Sequence, residues 1–461
     1  MAGRARGMTE RMRIPPAVVI GGGWAGLAAA FGLASRGIPV VLHEAAPQLG
    51  GRARRVERAG LPIDNGQHML VGAYEATRTL LWAVHGKRVD AGLRRQRLAI
   101  RAFAPGASAV EMQAPALRPP WNLAGAIALA KGPPVVERIA ALRWLRRLRK
   151  EGFARPDGET VDAMLASLPE RIARGVFAPL ALAALNTPTD HGSAQVFAHL
   201  LDLISRRAGD ADFLVPGFDL SELMPDPCAR RIEARHGEVR LRSTAQVAAL
   251  RDDGVDVLAG GGIVNASAVI VAVGPHQLAH AFGAEAAALA GVADAIAATN
   301  AMRFEPTATI YLGFRERVRL ADRIQRLDDA PGQWVFDRND VLARARDAAA
   351  SHMLGGLLAV VISASGVHDD LDAKALAGRV HAQLKRLRPS MPMPVWSQVI
   401  IERRSTFACV PGLRRPSGAL APRLHLAGDY LDSSLPATLE ASVASGEAAA
   451  RAVARELGSQ K

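Results

Sequence analysis

Val18-Val19-Ile20-Gly21-Gly22-Gly23-Trp24-Ala25-Gly26, followed by an Ala- and Leu-rich run and then Val40-Val41-Leu42-His43-Glu44, decides the fold of this chain. The apolar β-branched run suits a strand buried on both faces of a parallel sheet. Gly21 permits a tight turn, Gly23 lets the backbone approach a pyrophosphate, and Gly26 lets the next helix lie close to the strand. The free N–H groups and partial positive charge of that helix start suit phosphates. Spacing places the helix over Ala25 to Arg36, with Gly37 as its C′ residue. Trp24 and Ala25, set among these glycines, are expected to contact the cofactor with them. Glu44 closes the second strand, where a carboxylate accepts ribose hydroxyls and repels a 2′-phosphate. Strand, glycine turn, helix and acidic cap in register make a dinucleotide-binding unit.

Four further blocks extend it. Leu49-Gly50-Gly51-Arg52-Ala53-Arg54 follows shortly after Glu44, and then comes Ile63-Asp64-Asn65-Gly66-Gln67-His68. Near the far end stand Leu424-His425-Leu426-Ala427-Gly428-Asp429 and Leu435-Pro436-Ala437-Thr438-Leu439-Glu440, the latter opening a small-residue helix. Pro436 suits an early helical position, where its missing N–H costs nothing.

In this order the blocks resemble the FAD-dependent amine oxidase and phytoene desaturase superfamily, most specifically over the first 70 residues and the last 60. The resemblance implies non-covalent FAD in a discontinuous Rossmann-like α/β domain, under a substrate domain of mixed sheet and helices. It implies that Gly51 and Arg52 wrap the pyrophosphate and that Gly66 and Gln67 lie beside the isoalloxazine ring. Gly428 and Asp429 then meet the ribityl chain, and Leu439 and Glu440 start a helix whose amides face the flavin pyrimidine. A helix N-terminus there stabilises the negative charge of a reduced flavin. Val247 would touch the adenine side through its backbone.

The implied division is 14–75, 215–299 and 396–461 for the FAD domain and 76–214 with 300–395 for the substrate domain. Residues 1–13 form a basic tail, expected to be disordered, and Met8 or Met12 are alternative starts. Arg240 to Leu250 alternates like one strand and Val255-Asp256-Val257-Leu258 answers it across Asp253-Gly254, a hairpin. Val269 to Val273 reads as a buried strand stopping at Gly274-Pro275. Ala308–Leu312 and Leu357–Ser363 read as strands, and Ala373 to Leu387 as a helix.

Fifty-seven Lys and Arg against 44 Asp and Glu give a formal charge of +13. Nucleic acid is not expected as a partner, because no motif for it is present and aromatics for base stacking are sparse. An anionic membrane surface is the other candidate. Between Arg138 and Arg155, Ile139, Leu142, Leu145 and Leu148 recur every third residue among arginines, a basic amphipathic helix that either lies on an anionic bilayer or, as such helices more often do, sets its apolar side on the core. No apolar run reaches the roughly 18 residues of a membrane-spanning helix. Cys228 and Cys409 make no metal spacing, so no metal is expected and a reducing cytoplasm is the default location, peripheral to the inner face of the cell membrane if that helix binds there. Cys409 does not stand where some relatives tether flavin.

Asp64-Asn65-Gly66-Gln67-His68, Ser405-Thr406-Phe407-Ala408-Cys409-Val410-Pro411 and Ala427 through Thr438 look like the squalene-associated branch, which includes hydroxysqualene dehydroxylases. That implies a lipophilic isoprenoid substrate, replacement of a hydroxyl by hydrogen using reduced FAD, and a place in squalene or hopanoid synthesis. His68 is the candidate proton donor, its alternative role being a hydrogen bond to the flavin or a neighbouring backbone. Asp64 and Asp432 read as turn or cap residues. A carotenoid desaturase, a flavin amine oxidase and a non-catalytic partner of a prenyl synthase stay open as alternatives. The electron donor, NADPH or a separate reductase, is not readable.

Overall fold

The computed structural model describes residues 15–345, 347–366, 368–431 and 433–458; the basic N-terminal stretch and Asp432 lie outside the described residues. The opening motif is the centre of a six-stranded sheet. In spatial order its strands are Glu238–Leu241, Val40–Glu44, Ala17–Ile20, Val269–Val271, Leu424–Leu426 and Ala419–Ala421. All neighbours pair in parallel except the last two. The central strand is buried throughout, as its β-branched composition requires.

The helix after the glycines spans Trp24–Ser35, with Arg36 as its cap and Gly37 at φ +73°. It lies against the C-terminal helix Leu439–Gly458. A Cβ on Gly446 would come within 2.1 Å of the Ala25 carbonyl oxygen, and one on Gly32 within 2.8 Å of the Ala450 Cβ. These glycines let the two ends of the chain close on each other. The helix begins only at Leu439, so Pro436 precedes it and Thr438 accepts the Ala441 N–H instead.

The expected single strand from Arg240 to Leu250 is two strands. Arg242 has φ +51° and breaks it. Glu238–Leu241 joins the parallel sheet, and Ala245–Leu250 turns away into an antiparallel meander with Val255–Ala259 and Gly262–Ala266. Alternation runs on through the break, so periodicity does not register it.

A second large sheet, antiparallel, orders Ile324–Arg326, Trp334–Asp337, Gly356–Ser363, Phe304–Phe314 and Trp396–Phe407. Ala373–Leu387 is a helix packed on it, capped by the Asp372 carboxylate at 2.7 Å from the Ala375 N–H. Trp396–Phe407, expected to belong with the dinucleotide unit, pairs with Phe304–Phe314 in this antiparallel sheet. Helix Glu75–His85 likewise belongs with the C-terminal helix: the buried Glu440 carboxylate accepts the N–H groups of Ala76 and Thr77, each at 2.8 Å. Between Trp121 and Ile204 the chain forms a run of helices whose buried residues share a core with Tyr311, Trp334 and Phe336 of that sheet.

Candidate cofactor and substrate site

The two glycine turns meet face to face. Gly50 N–H donates to the Gly22 carbonyl at 2.9 Å, and Gly50 and Gly51 both take positive φ. A Cβ on Gly26 would sit 1.9 Å from the Gly21 oxygen, so strand and helix touch there. A Cβ on Gly23 would meet nothing nearer than the Gly51 Cα at 4.0 Å. That opening, over a helix start with no side-chain cap, is a cradle for a pyrophosphate. Glu44 accepts the N–H groups of Gly22 at 2.6 Å and Ala46 at 2.7 Å, which fixes its carboxylate beside the turn.

From this cradle a cavity of about 360 Å³ runs toward the antiparallel sheet. Ligand pockets span roughly 300–1,000 Å³, so the cavity is of a size to take a large ligand. Gly23, Trp24, Ala25, Gly51, Arg52, Gly66, Gln67, His68, Gly428, Asp429 and Leu439 all line it. Residues from both ends of the chain are thus brought to one wall. Glu44 and Val247 lie outside the lining. Val247 is buried, and its carbonyl already accepts the Gly283 N–H at 2.8 Å.

Arg52 and Asp429 form one unit. The guanidinium donates to both Asp429 oxygens at 2.8 and 2.7 Å and to the Ser405 carbonyl at 2.6 Å. A bidentate charge-assisted pair of this kind holds both groups in place. A Cβ on Gly428 would strike the Tyr430 ring at 2.3 Å, so this glycine makes room for Tyr430. The Tyr430 hydroxyl is buried on the cavity wall with no hydrogen-bond partner among the described residues. An orphaned polar atom here, the open cradle and two helix starts fit an FAD molecule.

The strap Asn65-Gly66-Gln67 is held from below. Tyr311 donates its hydroxyl to the Asp64 carbonyl at 2.8 Å and bonds the Gln67 amide. Asp64 is not a simple turn residue. Its carboxylate accepts the Leu220 N–H at 2.7 Å and pairs with Arg338 at 2.8 Å, both side chains being 2% exposed. Burial pushes the Asp64 carboxyl up to about 6, against the pull of the Arg338 guanidinium. Nothing in the sequence around Asp337-Arg338 announced this partner.

His68 faces the cavity, with Nδ1 placed 3.1 Å from the Gly66 carbonyl. Burial lowers its pKa, the Gly66 bond opposes this, and nearby Arg52 lowers it further. The ring therefore rests neutral, Nδ1–H donating to Gly66 and Nε2 free to accept. Glu402, on strand Trp396–Phe407, is a wall carboxylate that sequence reading missed; it accepts from the Asn65 amide at 3.3 Å. Its strand alternates weakly, so no pattern marked its inward face.

Beyond the strap the walls turn apolar. Leu180, Leu200, Leu201 and Ile204 come from helices; Phe213, Trp334, Phe336 and Val361 come from strands. The aromatic rings of the wall thus come from segments remote from the C-terminal block. The charged side chains on the lining, Arg52, Glu402 and Asp429, are all on the cofactor side.

Neither cysteine lines the cavity. Cys228 and Cys409 are buried, and burial pushes each thiol up to about 12. Acid precipitation of the yellow protein is expected to leave all flavin in the supernatant; flavin retained on the pellet would contradict a non-covalent site.

Residues 24–454 match the family described as "Flavin containing amine oxidoreductase". The chain is 28% identical to a hydroxysqualene dehydroxylase of Rhodopseudomonas palustris, over 94% of this chain and 96% of that one. It is 27% identical to a carotenoid phi-ring synthase of Streptomyces griseus, over 99% and 90%. Among solved structures, an oxidoreductase from Methanosarcina mazei superposes with a TM-score of 0.70 at 17% identity, covering 94% of this chain and 99% of that one. Cyclohexylamine oxidase from Brevibacterium oxydans does so with 0.68 at 17%, covering 96% and 100%. The chain belongs to the flavin-containing amine oxidoreductase family and is an FAD-dependent oxidoreductase.

Proposed function

We propose that the protein reduces hydroxysqualene to squalene in isoprenoid synthesis. The observation that carries this reading is the apolar chamber leading away from the flavin cradle, with charge confined to the cofactor end. A long hydrocarbon gains by burial there, at about 25 cal/mol per Å² of apolar surface. Past Glu402 and Asp429 at the cofactor end, an ammonium ion would find no acid along the described walls, so the chamber suits a hydrocarbon better than a second charged group. The hydroxysqualene dehydroxylases at 26–28% identity support the same substrate class.

FAD bound in its reduced form between the Gly23–Gly51 cradle and the Gln67 strap would supply hydride chemistry for the carbinol carbon, and the departing hydroxyl would take a proton and leave as water. The two electrons come from NADPH or a separate reductase. The chain holds the allylic carbon at the ring end, excludes water with its apolar walls and offers the Glu402 carboxylate to the positive charge that develops. His68, in its imidazolium form, provides the proton. Burial and Arg52 make that form a minor one at neutral pH. The turnover rate of pre-reduced enzyme is therefore expected to climb as pH falls toward and below about 6.5, the ordinary histidine value. His68→Gln is expected to flatten that climb; an unchanged profile would remove His68 from the reaction.

The substrate itself is tested by anaerobic mixing. Reduced enzyme with hydroxysqualene is expected to give squalene, whereas oxidised enzyme with phytoene or an aliphatic amine is expected to keep its flavin oxidised. Bleaching by phytoene or an amine, with no squalene in the first mixture, would replace this reading by a desaturase or amine oxidase.

A further inference from the structure

The helix expected to lie on a membrane through its long apolar side does not offer that side. In Val135–Lys150, Ala141, Trp144 and Leu148 are buried, and Trp144 packs on Phe177 with ring centroids 5.0 Å apart. What remains uncovered lies at its first turn and on the helix before it, Trp121–Ala128. Trp121, Leu129, Val135 and Val136 are 67%, 70%, 60% and 72% exposed. Scattered exposed apolar residues are ordinary, but a contiguous cluster marks a contact surface.

The cluster is contiguous. Arg138 donates to the Ala128 carbonyl at 2.6 Å, tying the start of the second helix to the end of the first. Leu117 reaches within 4.0 Å of where a Cβ on Gly125 would be. Trp121, Ala124, Gly125 and Ala128 follow the i, i+3, i+4, i+7 spacing of one helix face.

Charge selects the occupant. Residues 114–150 carry eight Lys and Arg and a single Glu, and that glutamate lies 3.9 Å from Arg171. Arg118, Lys131, Arg143, Arg146 and Arg147 are exposed around the apolar tip. A second copy would bring the same cations to a self-complementary contact, which repels. An anionic bilayer meets both features, taking the apolar side chains at its interface and the cations at its headgroups. The surface also adjoins the chamber: Phe177, under Trp144, immediately precedes helix Ala178–Leu185, whose Leu180 lines the cavity.

We propose that the tip formed by residues 117–139 seats the enzyme on an anionic lipid surface, with Trp121, Leu129, Val135 and Val136 entering the interface. The test is flotation of the FAD-loaded protein with vesicles of equal parts phosphatidylglycerol and phosphatidylcholine, against vesicles of phosphatidylcholine alone. The native protein is expected to float with the anionic vesicles and to be released by high salt. Trp121→Gln/Leu129→Ser/Val136→Ser and Arg143→Glu/Arg146→Glu are each expected to lose binding by about tenfold or more, with flavin content unchanged. A native protein that stays in the soluble fraction, or an apolar-tip variant that floats like it, would overturn the proposal. So would a variant whose only change is loss of a dimer in sedimentation, which would assign the face to a second copy. The readout needs no turnover, so its failure is separate from failure of the substrate reading.

Discussion

Arg338→Met is expected to destabilise the protein by about 3–5 kcal/mol, the usual cost of breaking a buried pair by removing one partner, and to loosen flavin binding with it. The Asp64 carboxylate would keep the Leu220 N–H but lose its counter-charge at a site with 2% exposure. Methionine also leaves the Pro216 carbonyl without the guanidinium N–H that reaches it at 2.6 Å. The pair lies directly beneath the strap Asn65-Gly66-Gln67, so the effect reaches the cofactor side. Its pH dependence has a definite sign. In the native protein burial already holds Asp64 at about 6, above the value near 3.9 of an unfolded aspartate. Without Arg338 it rises further, so the folded variant keeps a proton that the unfolded chain has released. Stability of that kind is present at low pH and is lost as pH rises through the folded value. The deficit of Arg338→Met in thermal melts is thus expected to widen between pH 5.5 and pH 8. Asp64→Asn/Arg338→Met, which removes both charges, is expected to recover much of it. A single variant that melts like the native protein at pH 8 would show that the pair carries no weight.

The second large effect concerns Arg52→Ala. The guanidinium holds Asp429, which has 8% of its side chain exposed, and the Ser405 carbonyl, and it stands at the pyrophosphate cradle. Arg52 is itself 31% exposed, so solvent screens part of its contribution. A charged hydrogen-bonded contact is worth about 2 kcal/mol, which corresponds to FAD binding weakened by about thirtyfold. Arg52→Lys is expected to restore little, because a point charge cannot grip both Asp429 oxygens while reaching Ser405. Titration of flavin-free protein with FAD measures this directly. Unchanged affinity in Arg52→Ala would reduce Arg52 to a structural ion-pair partner.

The cofactor end was legible because its chemistry is local. Gly21, Gly23, Gly26, Gly50 and Gly51 do their work within a few residues of backbone, and glycine is the signal for close approach and positive φ. The strand starting near Ala308 and the helix Ala373–Leu387 were legible from periodicity. The rest depends on long-range pairing. Arg338 lies 274 positions from Asp64, and Tyr311 reaches the strap across 247. No pattern in either segment announces the other. The break at Arg242 was hidden because alternation continues through it. The basic helix shows the opposite limit: an apolar stripe does not say whether protein or lipid covers it, and here Ala141, Trp144 and Leu148 are buried while Ile139 stays exposed.

The central claim is that one flavin, gripped by both ends of the chain, works on a hydrocarbon held in the chamber beyond the strap. Its most direct measurement is a single anaerobic turnover in deuterium oxide, following flavin absorbance and product together. The expected result is one squalene formed per flavin oxidised, with deuterium at the former carbinol carbon. Flavin that stays reduced in the presence of hydroxysqualene, or squalene formed without flavin oxidation, would contradict it.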